Sequence, residues 1–434
     1  MRLNLKYGAD ALPLEIQDTF HVDVFEPKAV VSLDDPAGAL RAALDAPLGC
    51  LPLEDWRIPR SVAIAVPDET RPFPLKTLLP PLLDRLFAAW PSLTGDNIRI
   101  VVGGGLHVPA DAAQLARILP ADLRGSRVIA HDALHSPVLN FGTTSRGTPV
   151  EINAALGAAD FKIVMGMVDA HQFVGFTGGA KGVVIGCGSA GTIAANHRLL
   201  RESRAIVGNI EDNPVRLDIN EAGELVGVNF AVNVALDREK QPVAVLAGLP
   251  SAVMAEASHA VEELYGMSFT EPYDVVVASC GGFPKDICLY QAQKGLATAA
   301  QCAAPGARIL LVAQCGDGVG DERYYDYTRR FADNAALVAD FEKKPFAVGA
   351  HKAFLFARTT TRFTVVVQTD LPAATLAECH LTCGPLQRTV DSWLAEKPDA
   401  RVAVITNANS TFFAIPPLFR NLVHSGQPRL AENL

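Results

Sequence analysis

The chain lacks any uninterrupted apolar run of the roughly 20 residues that a membrane-spanning helix needs, and this excludes a bilayer-embedded fold of that kind. Its first residues, MRLNLKYGADALPLEIQ, have no charged segment, apolar core and small-residue cleavage site in succession, so they do not read as a secretory signal. Basic residues are outnumbered, 38 against 47 acidic, and the net charge of −9 argues against nucleic acid or an anionic membrane as partner. The eight cysteines follow no regular spacing, which fits reduced core thiols better than a disulfide framework. Neither HExxH nor paired CxxC is present, so ordinary zinc chemistry has no anchor. The expected compartment is the cytoplasm. With only 20% charged residues and 49% hydrophobic ones, the chain has enough apolar material for large cores and too little charge for disorder.

What the sequence does contain is a repeated alternation of short β-branched runs, glycine-bearing or polar loops and helical stretches, the pattern of α/β architecture with largely parallel sheets. Runs begin at Ser61 (SVAIAV), Ile98 (IRIVV) and Phe161 (FKIVMGMV), and a second series begins at Tyr273, Ala307, Phe363 and Arg401. At 434 residues two α/β domains are expected: residues 1–267, and residues 268–412, with a helix over about 413–434 packing back on the first. In open parallel sheets ligands lie beyond the carboxyl ends of the strands. The chemistry is therefore sought in four loops, PDETRP, GGGLHVP, DAHQFVGFTGGAKG and CGGFPKD, expected to face an interdomain crevice.

In DAHQFVGFTGGAKG, four glycines and a lysine suggest a phosphate cradle, but Ala180 and Gly182 stand where a nucleotide-binding P-loop needs Gly and Ser or Thr. Small residues flanking Lys181 instead leave room for something bulky against an amine that can be covalently modified. His171 and His107 each follow a strand, where a general acid or base belongs. His197 falls on a helix expected to start near Ser189 and can supply one metal ligand, although one histidine is no metal site. Cys379, His380 and Cys383 read as structural. Asp68 and Arg71 sit in a proline-bounded loop, where a fixed guanidinium can grip a carboxylate, or the two can simply pair. Gln291 and Lys294, three apart, share a helix face.

The ordered set Asp68 to Pro72, Gly103 to Pro109, Asp169 to Gly182, Asn196 with His197, and the Gln291 to Lys294 helix resembles the lactate racemase family. The resemblance is strong from about Asp68 to Lys294 and looser beyond. It implies a nickel-pincer nucleotide (pyridinium-3,5-bisthiocarboxylic acid mononucleotide nickel) joined to Lys181 through a thioamide, with His197 as the protein ligand of nickel. It further implies His107 and His171 as the acid/base pair, Arg71, Gln291 and Lys294 at the substrate, and Asp68, Thr177, Gly178 and Gly179 around the cofactor. The partners implied are a small 2-hydroxy acid, lactate-like, malate-like or larger, and the proteins that build the cofactor. The chemistry is consistent with this set. A 2-hydroxy acid is too weak a carbon acid for a histidine to deprotonate, whereas hydride removal gives a planar 2-keto acid that can be reduced on either face. Two acid/base groups then serve the hydroxyl proton on the two sides. The alternatives are a metal-dependent lyase or hydratase without the pincer, and a non-catalytic cofactor carrier.

Overall fold

The computed structural model describes residues 1–28, 30–344 and 346–413. They form two compact units, one of residues 29–264 and one that combines residues 1–28 with 265 onward.

The first unit is built on a six-stranded sheet whose order is Pro242–Gly248, Phe230–Leu236, Phe161–Val168, Val62–Pro67, Ile98–Gly103 and Arg127–Ala130. All neighbours run parallel except the outermost pair, Phe230–Leu236 with Pro242–Gly248. The central strands are buried along nearly their whole length, which explains why they read as continuous rather than alternating apolar runs. Helix Leu75–Ala89 lays Leu78, Leu79, Leu82 and Leu86 into one core with Trp90, whose ring meets Phe161 edge-on at 5.0 Å.

The second unit carries a wholly parallel sheet in the order Thr382–Cys383, Thr364–Gln368, Ala303–Val312, Tyr273–Ser279, Arg401–Ile405 and His21–Phe25. Its last strand corrects the expected boundaries. Residues 1–28, assigned above to the first domain, belong with the second: His21–Phe25 pairs with Arg401–Ile405, and the hairpin of Arg2–Tyr7 with Asp10–Glu15 buries Leu5 and Leu14 among Val275, Val277, Leu310 and Val404. A half-exposed, short strand such as HVDVF carries no sign of which sheet it will join. The helix expected over about 413–434 lies outside the described residues beyond Phe413.

Six of the eight cysteines are buried and none is paired. Cys379 is buried, and His380 hydrogen-bonds the carbonyl of Thr328 at 3.2 Å, in keeping with a structural role for that cluster. Among the described residues no helix is long and apolar enough to cross a membrane. Leu5→Ala and Leu14→Ala are each expected to destabilise the protein by about 2–5 kcal/mol, as buried leucine truncations do. Denaturant titration checks this, and a loss under 1 kcal/mol for both would contradict the placement of the hairpin in that core.

Candidate active site

Three parallel strands of the first unit end at one cleft. Asp68 follows Val62–Pro67 directly, the Gly104–His107 turn follows Ile98–Gly103, and the loop from Asp169 follows Phe161–Val168. Asp68, Arg71, His107, Gly178, Gly179 and Lys181 all line this cleft, and Thr177 joins them. Three of the four loops singled out from the sequence thus meet at this cleft; CGGFPKD, on the second unit, is not among its lining.

Asp68 is buried and its carboxylate is fully engaged. Oδ1 accepts from the Thr70 hydroxyl at 2.6 Å, and Oδ2 lies 2.7 Å from Nδ1 of His107. Burial alone would push this carboxyl up, but the hydrogen bonds from His107 and Thr70 and the charges of His107 and Arg71 outweigh it and hold the group below its usual range. An ionised carboxylate only accepts, so Nδ1 of His107 donates and Nε2 is left to exchange a proton when the ring is neutral. Gly104 permits this pairing: a Cβ there would stand 2.6 Å from Oδ2 of Asp68. The neighbouring Glu69 faces away and accepts from Arg117 at 2.7 Å and from Gln114, tying the loop to helix Ala112–Ile118.

His171 sits in a different field. Its Nδ1 accepts from the backbone N–H of Val174 at 3.3 Å, so the neutral ring carries its proton on Nε2. Burial, followed by the charges of Lys181, His197, Arg71 and Arg216, pushes the imidazole well below its ordinary range and keeps it neutral. The Phe173 ring stands edge-on to His171 at 4.6 Å and to His197 at 5.2 Å, spacing the two histidines.

His197 closes helix Ala190–His197, which starts on the Ser189 cap as the sequence suggested. Its Nδ1 donates to Oδ1 of Asn196 at 3.1 Å. Asn196 is itself fixed, because its amide donates to Asp218 at 2.8 Å, and Asp218 also accepts from Thr144 at 2.5 Å.

Lys181 opens a short helix, Lys181–Val184, at the end of a loop whose backbone is pinned from below. Thr177 spends its hydroxyl on the carbonyl of Met167 and on the N–H of Asp169, both at 2.9 Å. Gly178 has φ of 91°, and a Cβ there would come within 2.6 Å of Val168. The N–H of Gly179 donates to Oδ1 of Asn233 at 2.9 Å, and Asn233 in turn donates to the carbonyl of Gly166 at 3.0 Å. Arg216 donates to the carbonyls of Gly178, at 3.2 Å, and Phe176. Burial, then Arg71 and Arg216, bring the Lys181 amine down to about 7, so a large share is uncharged at neutral pH. Asn233 and Arg216 were not singled out from the sequence. Asn233 is a polar residue in an otherwise apolar strand, FAVNVAL, and that was the available signal.

Gln291 and Lys294 belong to the second unit, on helix Leu289–Cys302. Lys294 is exposed, whereas Gln293 between them turns inward and accepts from Lys352 at 3.0 Å.

Fold and cleft together are those of a two-domain α/β enzyme. The sequence model of the lactate racemase N-terminal domain matches residues 7–208, and that of the lactate racemase C-terminal domain matches residues 269–412. A lactate racemase of Lactiplantibacillus plantarum is 30% identical over 340 residues, covering 76% of this chain and 78% of that protein. One from Thermoanaerobacterium thermosaccharolyticum is 28% identical over 339 residues with the same coverage. The structure of the lactate racemase apoprotein from the latter organism matches with a TM-score of 0.84 at 24% identity, over 95% of this chain and 100% of that one. A Thermotoga maritima protein shares the fold more distantly, with a TM-score of 0.61 at 16% identity over 88% of this chain and 99% of its own. The chain belongs to the lactate racemase family, and it is an isomerase.

Asp68→Asn is expected to cost about 1–3 kcal/mol at pH 7, the range for hydrogen bonds to a charged group. The carboxyl is held below its unfolded value, so this stabilisation is present above that value and is lost as the pH falls through the folded one. Denaturation of both proteins from pH 7 downward checks it: the gap should narrow below about pH 4, and a gap independent of pH would refute the ion-pair account.

Proposed function

We propose that this chain racemises lactate or a close 2-hydroxy acid relative, using a nickel-pincer nucleotide bound covalently at Lys181, in the cytoplasm. The observation that carries the reading is the shared cleft of Lys181 with the Asp68–His107 pair, next to a neutral His171.

The residues fit the group that the resemblance implies. A lysine that is largely uncharged at neutral pH is suited to bond formation with carbon. The guanidinium groups of Arg71 and Arg216 favour an anionic, phosphate-bearing ligand, with Asp68, Thr177, Gly178 and Gly179 around it. Nδ1 of His197 donates to Asn196, and Nε2 is the nitrogen assigned to nickel. Among the described residues no three His, Cys, Asp or Glu side chains converge as a metal site of their own, which favours a metal brought in by an organic ligand over a lyase with a purely protein-held ion.

When bound, the cofactor supplies an acceptor and donor of hydride at C2 of the substrate. Arg71 is exposed on the cleft and anchors the substrate carboxylate. His107, its Nδ1–H held by Asp68, takes the hydroxyl proton of one enantiomer through Nε2, and His171 is assigned that of the other; to accept it on Nε2 the ring must carry its own hydrogen on Nδ1, giving up the contact with the N–H of Val174. In the reverse direction the two exchange roles. Retention of both histidines also separates this reading from a carrier, which needs only the tether and the metal ligand.

Produced alongside the proteins that build the cofactor, the wild-type chain should show an adduct on Lys181 by intact-mass and peptide analysis, and should invert D- and L-lactate by polarimetry. Lys181→Ala is expected to lose the adduct, while His107→Ala and His171→Ala keep it and lose turnover by at least about 100-fold. Normal turnover in Lys181→Ala would sink the tether, and unchanged turnover in either histidine variant would remove that residue from the acid/base pair.

A further inference from the structure

Arg216 is buried to 1% exposure in the first turn of helix Pro214–Val226. Its hydrogen bonds go to two neutral carbonyls, those of Phe176 and Gly178, and its Nε has no partner. Asp218, two residues on, turns instead to Asn196 and Thr144, and among the described residues no carboxylate pairs with Arg216. A neutral amide could satisfy a carbonyl equally well, whereas a buried ion costs several kcal/mol after relaxation. Holding the loop therefore does not account for the charge. The loop that Arg216 grips leads three residues later to Lys181, and Gly223 of the same helix lies against Ala180 beside that lysine, so the guanidinium acts on the amine from close by and opposes its protonation.

We infer that Arg216 is a positioning residue that holds Lys181 as a free amine, ready to form a bond to carbon. The inference rests on the reading of Lys181 as the attachment point. In that step the amine lone pair forms a C–N bond to the thiocarboxyl carbon. The hydroxyl of that carbon leaves with one amine proton as water, so no oxidant or reductant is consumed. An ammonium has no lone pair to give. Other charges face Lys181 as well: Arg71 from the loop after Val62–Pro67, His171 from the Ala170–His171 strand, and Asp68 paired with His107. Glu151, on strand Pro149–Asn153, is engaged by Ser189 at 2.8 Å, and Asp169 accepts from the N–H of Ala170. Arg71 is exposed and its field is screened by water, while that of Arg216 is not. The lowered basicity of Lys181 agrees with this arrangement.

Competitive labelling of the full-length, cofactor-free chain with trace acetic anhydride from pH 5 to about 11, read at Lys181 by peptide mass spectrometry, tests the inference across the lysine range. The wild-type midpoint is expected near pH 7. Arg216→Gln keeps a carbonyl hydrogen bond without the charge, and its midpoint should rise by about one unit or more, so that labelling at pH 7 falls about fivefold or further. Arg216→Lys should restore the low midpoint. An unchanged midpoint in a natively folded Arg216→Gln protein overturns the inference. A wild-type midpoint near the ordinary lysine value of about 10.4 overturns it without any variant. If the labelling behaves as expected but no adduct forms on Lys181 with a working biosynthesis system, the attachment reading fails while the role of Arg216 in setting the amine stands.

Discussion

The peptide groups from Phe176 to Lys181 leave the sheet and must find hydrogen-bond partners elsewhere, because buried backbone donors and acceptors left unpaired are costly. Arg216 and Asn233 supply them, one from a helix and one from a strand, and Thr177 closes the remainder within the loop. Everything chemical in the first unit depends on that arrangement. Were the loop to relax, Lys181 would leave the cleft, and His171, spaced by Phe173 from His197, would lose the neighbours that keep it neutral.

His107 and His171 sit in opposite electrostatic surroundings. His107 donates through Nδ1 to an ionised carboxylate, while His171 is buried beside cations that push its ring toward the neutral form.

Much of the architecture was legible because parallel strands buried on both faces leave near-continuous β-branched runs, and the runs at Ser61, Ile98, Phe161, Tyr273 and Arg401 all became strands within a residue of where they were read. The loops that line the first unit's cleft were legible because each follows such a run. Arg216 and Asn233 were not, since their importance lies in which loop they touch, a contact across 38 and 54 positions of sequence that no local pattern encodes. The place of residues 1–28 was equally hidden, because pairing partners of a half-exposed edge strand are set by register with Arg401–Ile405 rather than by its own pattern.

That last strand imposes an order on synthesis. The hairpin of Arg2–Tyr7 with Asp10–Glu15 and the strand His21–Phe25 are synthesised long before Arg401–Ile405, the strand their sheet needs. The unit of residues 29–264 is continuous in the chain and has all its sequence available long before, so it can fold as an insertion while the other unit waits with its first strand in hand. The waiting segment is short and bears charged residues among its apolar ones, including Lys6, Asp10, Glu15 and Asp23, which lowers its tendency to pair with another chain in the interval.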